Sequence, residues 1–448
     1  MAGARKIARR IVTRWTAPLS GLISPDTLKR FLTLSSWTMV SFALSKGAMM
    51  IVVIYLARVL GAEDYGRLTL TQGLVNILEL FIVLGAGPFV SKHVPQMLQE
   101  GAHRAIEIVN LSAAIILAMG VSLCIVAPFA VGTIATDVLS LPKLSLIPWW
   151  TLAWVILLAF NNLMLVVLLS LERGKALGAA ALVAAGLSLL IIPWFGTLWG
   201  LQGAVAGFVA VEAIRFVAVL LIYARIVRNM GARVFALPRR SDLRLLLTFG
   251  LPAFLTSAIY SPTIWAAQLI VKAFAPDGLA IVGIYGLMNN ILGALLVISG
   301  LTNQAAMPIF SSLDSSGNEK ELRRSCRFLS MAQVFVATVV SIPLAICVPF
   351  ILSYAGPAFV QAWPAFLIML VVGIITAGQT SLGNYLLVIN RPYFVLGATV
   401  PWSMVVLGAA ALFFAHGIYA LVGGMLAGAI VKTGLFVWGY AKRSQCRA

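Results

Sequence analysis

Twelve stretches of about 20 or more mostly apolar residues run through the chain, and no other feature constrains its fold as strongly. A bilayer core of about 30 Å is crossed by roughly 20 helical residues. The stretches fall near residues 35–57, 68–90, 105–131, 146–170, 176–195 and 201–224. Six more fall near 245–271, 280–307, 328–353, 362–389, 393–415 and 417–440. With 61% hydrophobic and 10% charged residues, a soluble domain would lack the polar cover its surface needs. The expected fold class is therefore all-α, a polytopic membrane protein of about 12 transmembrane helices.

The formal charge of +18 suggests nucleic acid only if position is ignored. An even number of spans puts both termini on one side. Of the 32 Lys and Arg, twenty-five then fall on the terminal side, four on the opposite side and three inside spans. That is the positive-inside pattern, so both termini are expected in the cytoplasm and no nucleic-acid partner is expected. The organisation read from this is a basic N-terminal segment (1–34), spans 1–6 (35–224), a basic linker (225–244), spans 7–12 (245–440) and a tail (441–448). Residues 1–16 read equally as an interfacial helix or as an orienting charge cluster, but not as a cleavable signal. Basic loops of this kind are expected to meet membrane lipids.

The two sets of six spans are related by an internal repeat. Laying the chain on itself so that Tyr65-Gly66 falls on Tyr285-Gly286 also brings Gly73 onto Gly293, Ala86 onto Ala306, Pro88 onto Pro308 and Ser91 onto Ser311, with no gap. Six helices followed by six more in the same orientation make a parallel repeat about an axis normal to the membrane. The expectation is two six-helix lobes.

The stretch Arg58-Val-Leu-Gly61-Ala-Glu63-Asp64-Tyr65-Gly66 follows the first span. It resembles the R-x-L-G-x-x-x-Y-G turn of the polysaccharide transporter family, which includes the Wzx-type O-antigen flippases. That family belongs to the multidrug/oligosaccharidyl-lipid/polysaccharide flippase superfamily. The similarity continues in Leu84-Gly-Ala-Gly87-Pro88, Glu172-Arg173-Gly174-Lys175, Val282-Gly283-Ile284-Tyr285 and Met307-Pro308-Ile-Phe-Ser311. The resemblance implies two lobes in a V and a location in the bacterial inner membrane. It also implies an undecaprenyl-diphosphate-linked oligosaccharide substrate, whether an O-antigen, exopolysaccharide or capsule repeat unit. Translocation would run from the cytoplasmic to the periplasmic face by alternating access, with a polysaccharide polymerase or glycosyltransferases as candidate neighbours.

Ionisable residues inside a membrane cost about 2.5–3.5 kcal/mol on insertion scales, so each needs an explanation. Five are placed in spans: Lys46, Glu79, Glu212, Arg215 and Lys432. Two readings stand. In one, Lys46, Arg215, Lys432 and Asn76 line a substrate cavity while Glu79 and Glu212 gate or couple transport. In the other, Lys46–Glu79 and Arg215–Glu212 are structural ion pairs and Lys432 snorkels to the interface. Arg58 and Asp64, in the turn after span 1, are either an outer gate or a solvated turn. Pro252 and Pro262 are expected to let span 7 bend.

The spacing of the four cysteines and three histidines fits no metal site, and no cofactor or catalytic residue is expected. No Gly-rich phosphate loop is present, so the chain is not expected to hydrolyse ATP or to be an enzyme. The alternatives are an ion-coupled multidrug or organic-cation antiporter of the same superfamily and, further off, a membrane polysaccharide polymerase or ligase. An antiporter for cations calls for an acidic cavity, whereas the intramembrane balance here is basic by one charge. A polymerase calls for a sizeable outer loop, which the spans leave no room for.

Overall fold

A computed structural model describes residues 25–142, 145–171, 173–231, 254, 258–315, 317–389 and 391–442. Among these, every regular element is helical. The helices are α1 (Pro25–Val83), α2 (Ala86–Glu100), α3 (Ala102–Thr133), α4 (Ile147–Ser170), α5 (Gly174–Asn229) and α6 (Tyr260–Phe274). They continue with α7 (Gly278–Ser315), α8 (Glu319–Ala355), α9 (Pro357–Val360), α10 (Trp363–Val388), α11 (Pro392–Leu412) and α12 (Ile418–Lys442). Nine helical stretches among the described residues are long and apolar enough to cross a membrane. Two of these, of 44 and 56 residues, are long enough to cross twice. α1 breaks at Gly61 (φ 72°, ψ 173°) and α5 at Trp199–Gly200, so each divides into two arms, one per span. α6 is the described part of the seventh span.

The two halves repeat each other in backbone as well as in sequence. Gly200 sits at φ 57°, ψ −135°, and Gly417, before α12, sits at φ 59°, ψ −121°. Only glycine adopts such angles without strain. These two residues start equivalent last helices in the two lobes. α3 and α8, the third span of each lobe, are also alike in burying little of their apolar surface. Both expose large side chains, among them Phe129, Phe335, Ile346 and Phe350, which is the face lipid would cover.

The lobes meet through the second arm of α1 and α7. Their backbones touch closely enough that a methyl group on Gly66 would overlap the Leu279 carbonyl. One on Gly283 would overlap the Ala62 carbonyl, and one on Gly286 the Thr69 hydroxyl. Tyr65 and Tyr285, beside these glycines, are both 1% exposed. Asn290 donates to the Tyr65 hydroxyl (3.3 Å) and Trp265 Nε1 donates to the Leu70 carbonyl (3.0 Å). Lys272 Nζ donates to the Asp137 carbonyl (2.5 Å), and the Arg58 guanidinium lies 4.5 Å from the Tyr354 ring. These contacts cluster at the end of the molecule that holds Gly61, called here the turn end.

Farther from that end the close backbone approaches cease. Gly286, Gly293 and Gly300 recur every second turn on one stripe of α7. Gly286 meets Thr69, but among the described residues nothing lies within 4 Å of where a side chain would begin on Gly293 or Gly300. Beyond the sealed turn end an open space therefore lies along this stripe of α7, and farther out Phe81 of α1 packs edge-on against Phe254 of the seventh span (centroids 5.4 Å apart).

Several boundaries differ from the sequence reading. The second span stops at Val83, because the chain turns at Leu84–Gly85; residues 86–100 then form the separate helix α2, not a loop. The basic linker expected over 225–244 is helical through Asn229, and its remainder from residue 232 lies outside the described residues. So do Pro252 and Glu172. Pro262 sits in the first turn of α6, where a missing N–H costs no helical hydrogen bond, just after a turn at residues 258–259; residues 255–257 of the span lie outside the described residues.

Candidate functional site

One layer of polar side chains crosses the first lobe at constant depth. Lys46 precedes Gly61 by about four helical turns, and Asn76 follows that glycine by the same span, with Glu79 one turn beyond. Arg215 follows Gly200 by an equal stretch of helix. At 1.5 Å per residue, all are on the order of 25 Å from the turn end along their helices. The layer exists because four helices each carry a polar residue at that level.

α4 organises the layer with two adjacent amides. Asn161 Nδ2 donates to Glu212 Oε2 (2.6 Å) and to the Glu212 carbonyl (2.9 Å). Asn162 Nδ2 donates to Glu79 Oε1 (3.1 Å). Consecutive helical residues point about 100° apart, so one amide serves α5 and the other serves α1. Arg215 Nη1 lies 3.5 Å from Glu212 Oε1. Lys46 lies near enough to Arg215 for the two charges to repel. Beside Lys46, Ser45 Oγ donates to the Ala181 carbonyl (3.1 Å), tying the first arm of α1 to α5.

The pairings thus differ in part from those considered on sequence. Arg215 and Glu212 are an ion pair, but Lys46 and Glu79 are not. Glu79 is held by an amide, and the charged neighbour that acts on Lys46 is another cation. Asn76 is exposed. It lies one turn past Gly73, which packs on Trp265 of the other lobe, so it stands where the close backbone approaches cease. At the turn end Asp64 stays within its own helix, bound to Arg67 (2.5 Å), with Glu63 at 3.8 Å. Arg58 instead crosses to Tyr354 of the second lobe.

In the second lobe the same depth is built of amides, hydroxyls and rings. Ser381 Oγ lies 2.7 Å from Gln333 Oε1 and 3.1 Å from Asn303 Oδ1. Gln379 Nε2 donates to the Ala429 carbonyl (2.6 Å) and to Thr433 Oγ1 (2.7 Å). Lys432 lies 5.6 Å from the centres of both the Trp402 and Phe436 rings. Tyr260 stacks on Trp402, with centroids 4.9 Å apart and planes 10° from parallel. Sequence reasoning missed this aromatic group, because three rings on three helices leave no spacing signal. No cluster of three metal-ligating side chains occurs among the described residues.

Two lobes joined at one end, with a layer of charge inside them, are parts that an alternating-access carrier also has. A family model described as polysaccharide biosynthesis protein matches residues 32–314. The chain belongs to this family. No curated protein matches it. Among solved structures, it is similar to an inward-facing multidrug resistance MATE family transporter of the MOP superfamily, with a TM-score of 0.75, 15% identity and coverage of 90% of this chain and 96% of that one. An outward-facing MATE family transporter aligns with a TM-score of 0.70, 18% identity and coverage of 94% and 96%. A MOP superfamily transporter from Pyrococcus furiosus, described by the reverse polarity of its binding pocket, gives 0.70, 17%, 94% and 96%. At these identities the likeness is one of fold. This member of the polysaccharide biosynthesis family is thus a multi-pass membrane protein with a transporter's two six-helix lobes.

Proposed function

We propose that the chain is a flippase that carries an undecaprenyl-diphosphate-linked oligosaccharide from the cytoplasmic to the periplasmic face of the bacterial inner membrane. The observation that carries this reading is the polar layer: buried in the spans, cationic by one charge, and built into both lobes of a polysaccharide biosynthesis family protein. The sugar–diphosphate headgroup enters between the lobes while the polyprenyl tail stays in lipid. Sheltering the headgroup removes most of the cost of taking hydroxyls and phosphates through hydrocarbon. The lobes then rock, breaking the contacts at the turn end and closing the opposite one. Both termini and the basic segments are cytoplasmic in this reading, and the sealed turn end faces the periplasm.

One observation favours a second reading. Among the described residues Glu79 makes no ion pair with Lys46 and is held by an amide, as befits a carboxylate that exchanges a proton or a cation. An ion-coupled antiporter for organic cations would use such a group.

The deciding experiment reconstitutes the protein in proteoliposomes with a short fluorescent polyprenyl-diphosphate oligosaccharide. An impermeant enzyme on the opposite side then reports how much lipid has crossed. Transport by the unsubstituted protein, and its loss in folded Lys46→Ala and Arg215→Ala variants, is the expected result. If no such lipid moves but an organic cation is driven against an ion gradient, the antiporter reading replaces this one.

A further inference from the structure

The two lobes carry one cation each at equivalent positions. Arg215 follows Gly200 by the same number of residues as Lys432 follows Gly417, the glycine of matching backbone angles. The same registration lays Glu212 on Ala429. Arg215 therefore has its carboxylate one turn back, and Lys432 has a methyl group there. Among the described residues, the contacts of Lys432 are Trp402 and Phe436, and the carbonyl of Ala429 is taken by Gln379. The first lobe balances Lys46 and Arg215 against Glu79 and Glu212. The cationic surplus of the layer thus sits on Lys432.

Exposed aromatic residues fix its depth. Tyr419 and Trp438 are both exposed on α12 and stand about 28 Å apart along it, which matches a bilayer core with an aromatic belt at each edge. Lys432 lies between them, about 9 Å inside the Trp438 edge. Trp402 is 3% exposed and Phe436 is 3% exposed, so Lys432 is on the protein side of its helix. Tyr260, stacked on Trp402, is 43% exposed. It opens α6, the helix whose Trp265 bonds to Leu70 of the first lobe. Thr263 of α6 and Ser403 of α11 are 2.6 Å apart, which locks the two helices that carry the rings.

An ammonium inside the membrane with rings for company binds an anion well, and a flat, half-open ring beside it suits the apolar face of a pyranose. We propose that Tyr260, Trp402 and Lys432 form a subsite of the second lobe for the sugar–diphosphate junction of the lipid. Lys432 meets a phosphate oxygen, and the first sugar ring lies on Tyr260 with Trp402 as its backing. This rests on the flippase reading and specifies where between the lobes the headgroup is held.

The test is equilibrium binding to the full chain in nanodiscs. The two probes are undecaprenyl diphosphate and the same lipid bearing a β-1,4-linked N-acetylglucosamine disaccharide. Lys432→Gln should weaken both by about tenfold or more, Lys432→Arg should restore most of the affinity, and all variants should keep the parent melting temperature. The sugar-bearing lipid should bind the parent more tightly than the bare one, and Tyr260→Leu should erase that difference while sparing the bare lipid. Unchanged affinity in Lys432→Gln, or an equal loss for both lipids in Tyr260→Leu, overturns the subsite and leaves the flippase reading intact. Failure of the parent to bind either lipid overturns both. Inorganic pyrophosphate should compete only at far higher concentration; if it competes as well as the lipid, the site belongs to a soluble anion.

Discussion

Each carboxylate of the polar layer is held by its own asparagine, and this decides how the layer responds to substitution. Glu212 receives Asn161 twice and faces Arg215, while Lys46 adds a second positive charge nearby. Glu212→Leu leaves two cations facing each other inside the membrane. Losing one partner of such a buried pair costs on the order of 3 kcal/mol. Its melting temperature in detergent should fall well below the parent's. The double variant Glu212→Leu/Arg215→Leu should recover most of the loss, because an apolar replacement of the whole pair is nearly neutral. Asn162→Ala should do less, since it removes one hydrogen bond to Glu79. The ionisable residues of this layer were legible in the sequence because a charge amid apolar residues stands out. Which charge meets which was not, because that depends on helix rotation. Glu79 takes the Asn162 amide and not the Lys46 ammonium, and only the packing of α1 on α4 sets that. The amides were visible too, but they are scattered through the spans with nothing to mark Asn161 and Asn162 as the pair that fixes both acids.

At the scale of the helix, the repeated Tyr-Gly step proved to be a contact. Gly66 and Gly286 are where the second arm of α1 and α7 cross with backbone against backbone, an approach that permits Cα–H···O contacts and leaves no room for a side chain. Gly66→Val would force the crossing apart, since the obstacle is the Leu279 carbonyl and not a movable side chain. Transport should fall at least tenfold in proteoliposomes. A cysteine pair replacing Arg58 and Tyr354, whose side chains meet across the lobes at the same end, should cross-link less in that variant than without it. A different outcome is expected for Gly200→Ala. It lies in open space, so only its φ of 57° is at stake, and the cost is about 1–3 kcal/mol of stability with the crossing intact. A denaturation midpoint measured beside a cross-linking assay separates the two effects. The sequence repeat announced that these positions matter twice. It did not announce that the two copies touch each other, because a repeat is silent about where its axis lies. The break at Leu84–Gly85 escaped for a simpler reason: residues 84–90 are as apolar as the span they end.

For the whole molecule, class and two-lobe organisation followed from hydropathy and from the repeat, both long-range averages that tolerate local error. Orientation rests on the Lys and Arg distribution and is checked directly. A cysteine replacing Glu63 should react with an impermeant maleimide from the periplasmic side of spheroplasts. One replacing Lys320 should react only after the membrane is opened. Reversal of that pattern would turn the carrier over in the membrane and make the present state outward-facing.

The lone charge of the second lobe has an electrical consequence. The proposed substrate, a diphosphate diester, would bring two negative charges, so the loaded layer would carry a net negative charge, whereas the empty layer carries one positive charge. A cell interior that is electrically negative pushes the loaded form outward and draws the empty form back. Each elementary charge that crosses the full field is worth about 2.3 kcal/mol per 100 mV, so the resting voltage favours both strokes of the cycle. Clamping the voltage of the proteoliposomes with potassium and valinomycin should change the flipping rate in the parent; in Lys432→Gln the loaded layer carries two negative charges and the empty layer none, so voltage should act more strongly on the outward stroke and no longer on the return. A carrier wired this way draws on the membrane as a battery, with no second ion obliged to travel in exchange.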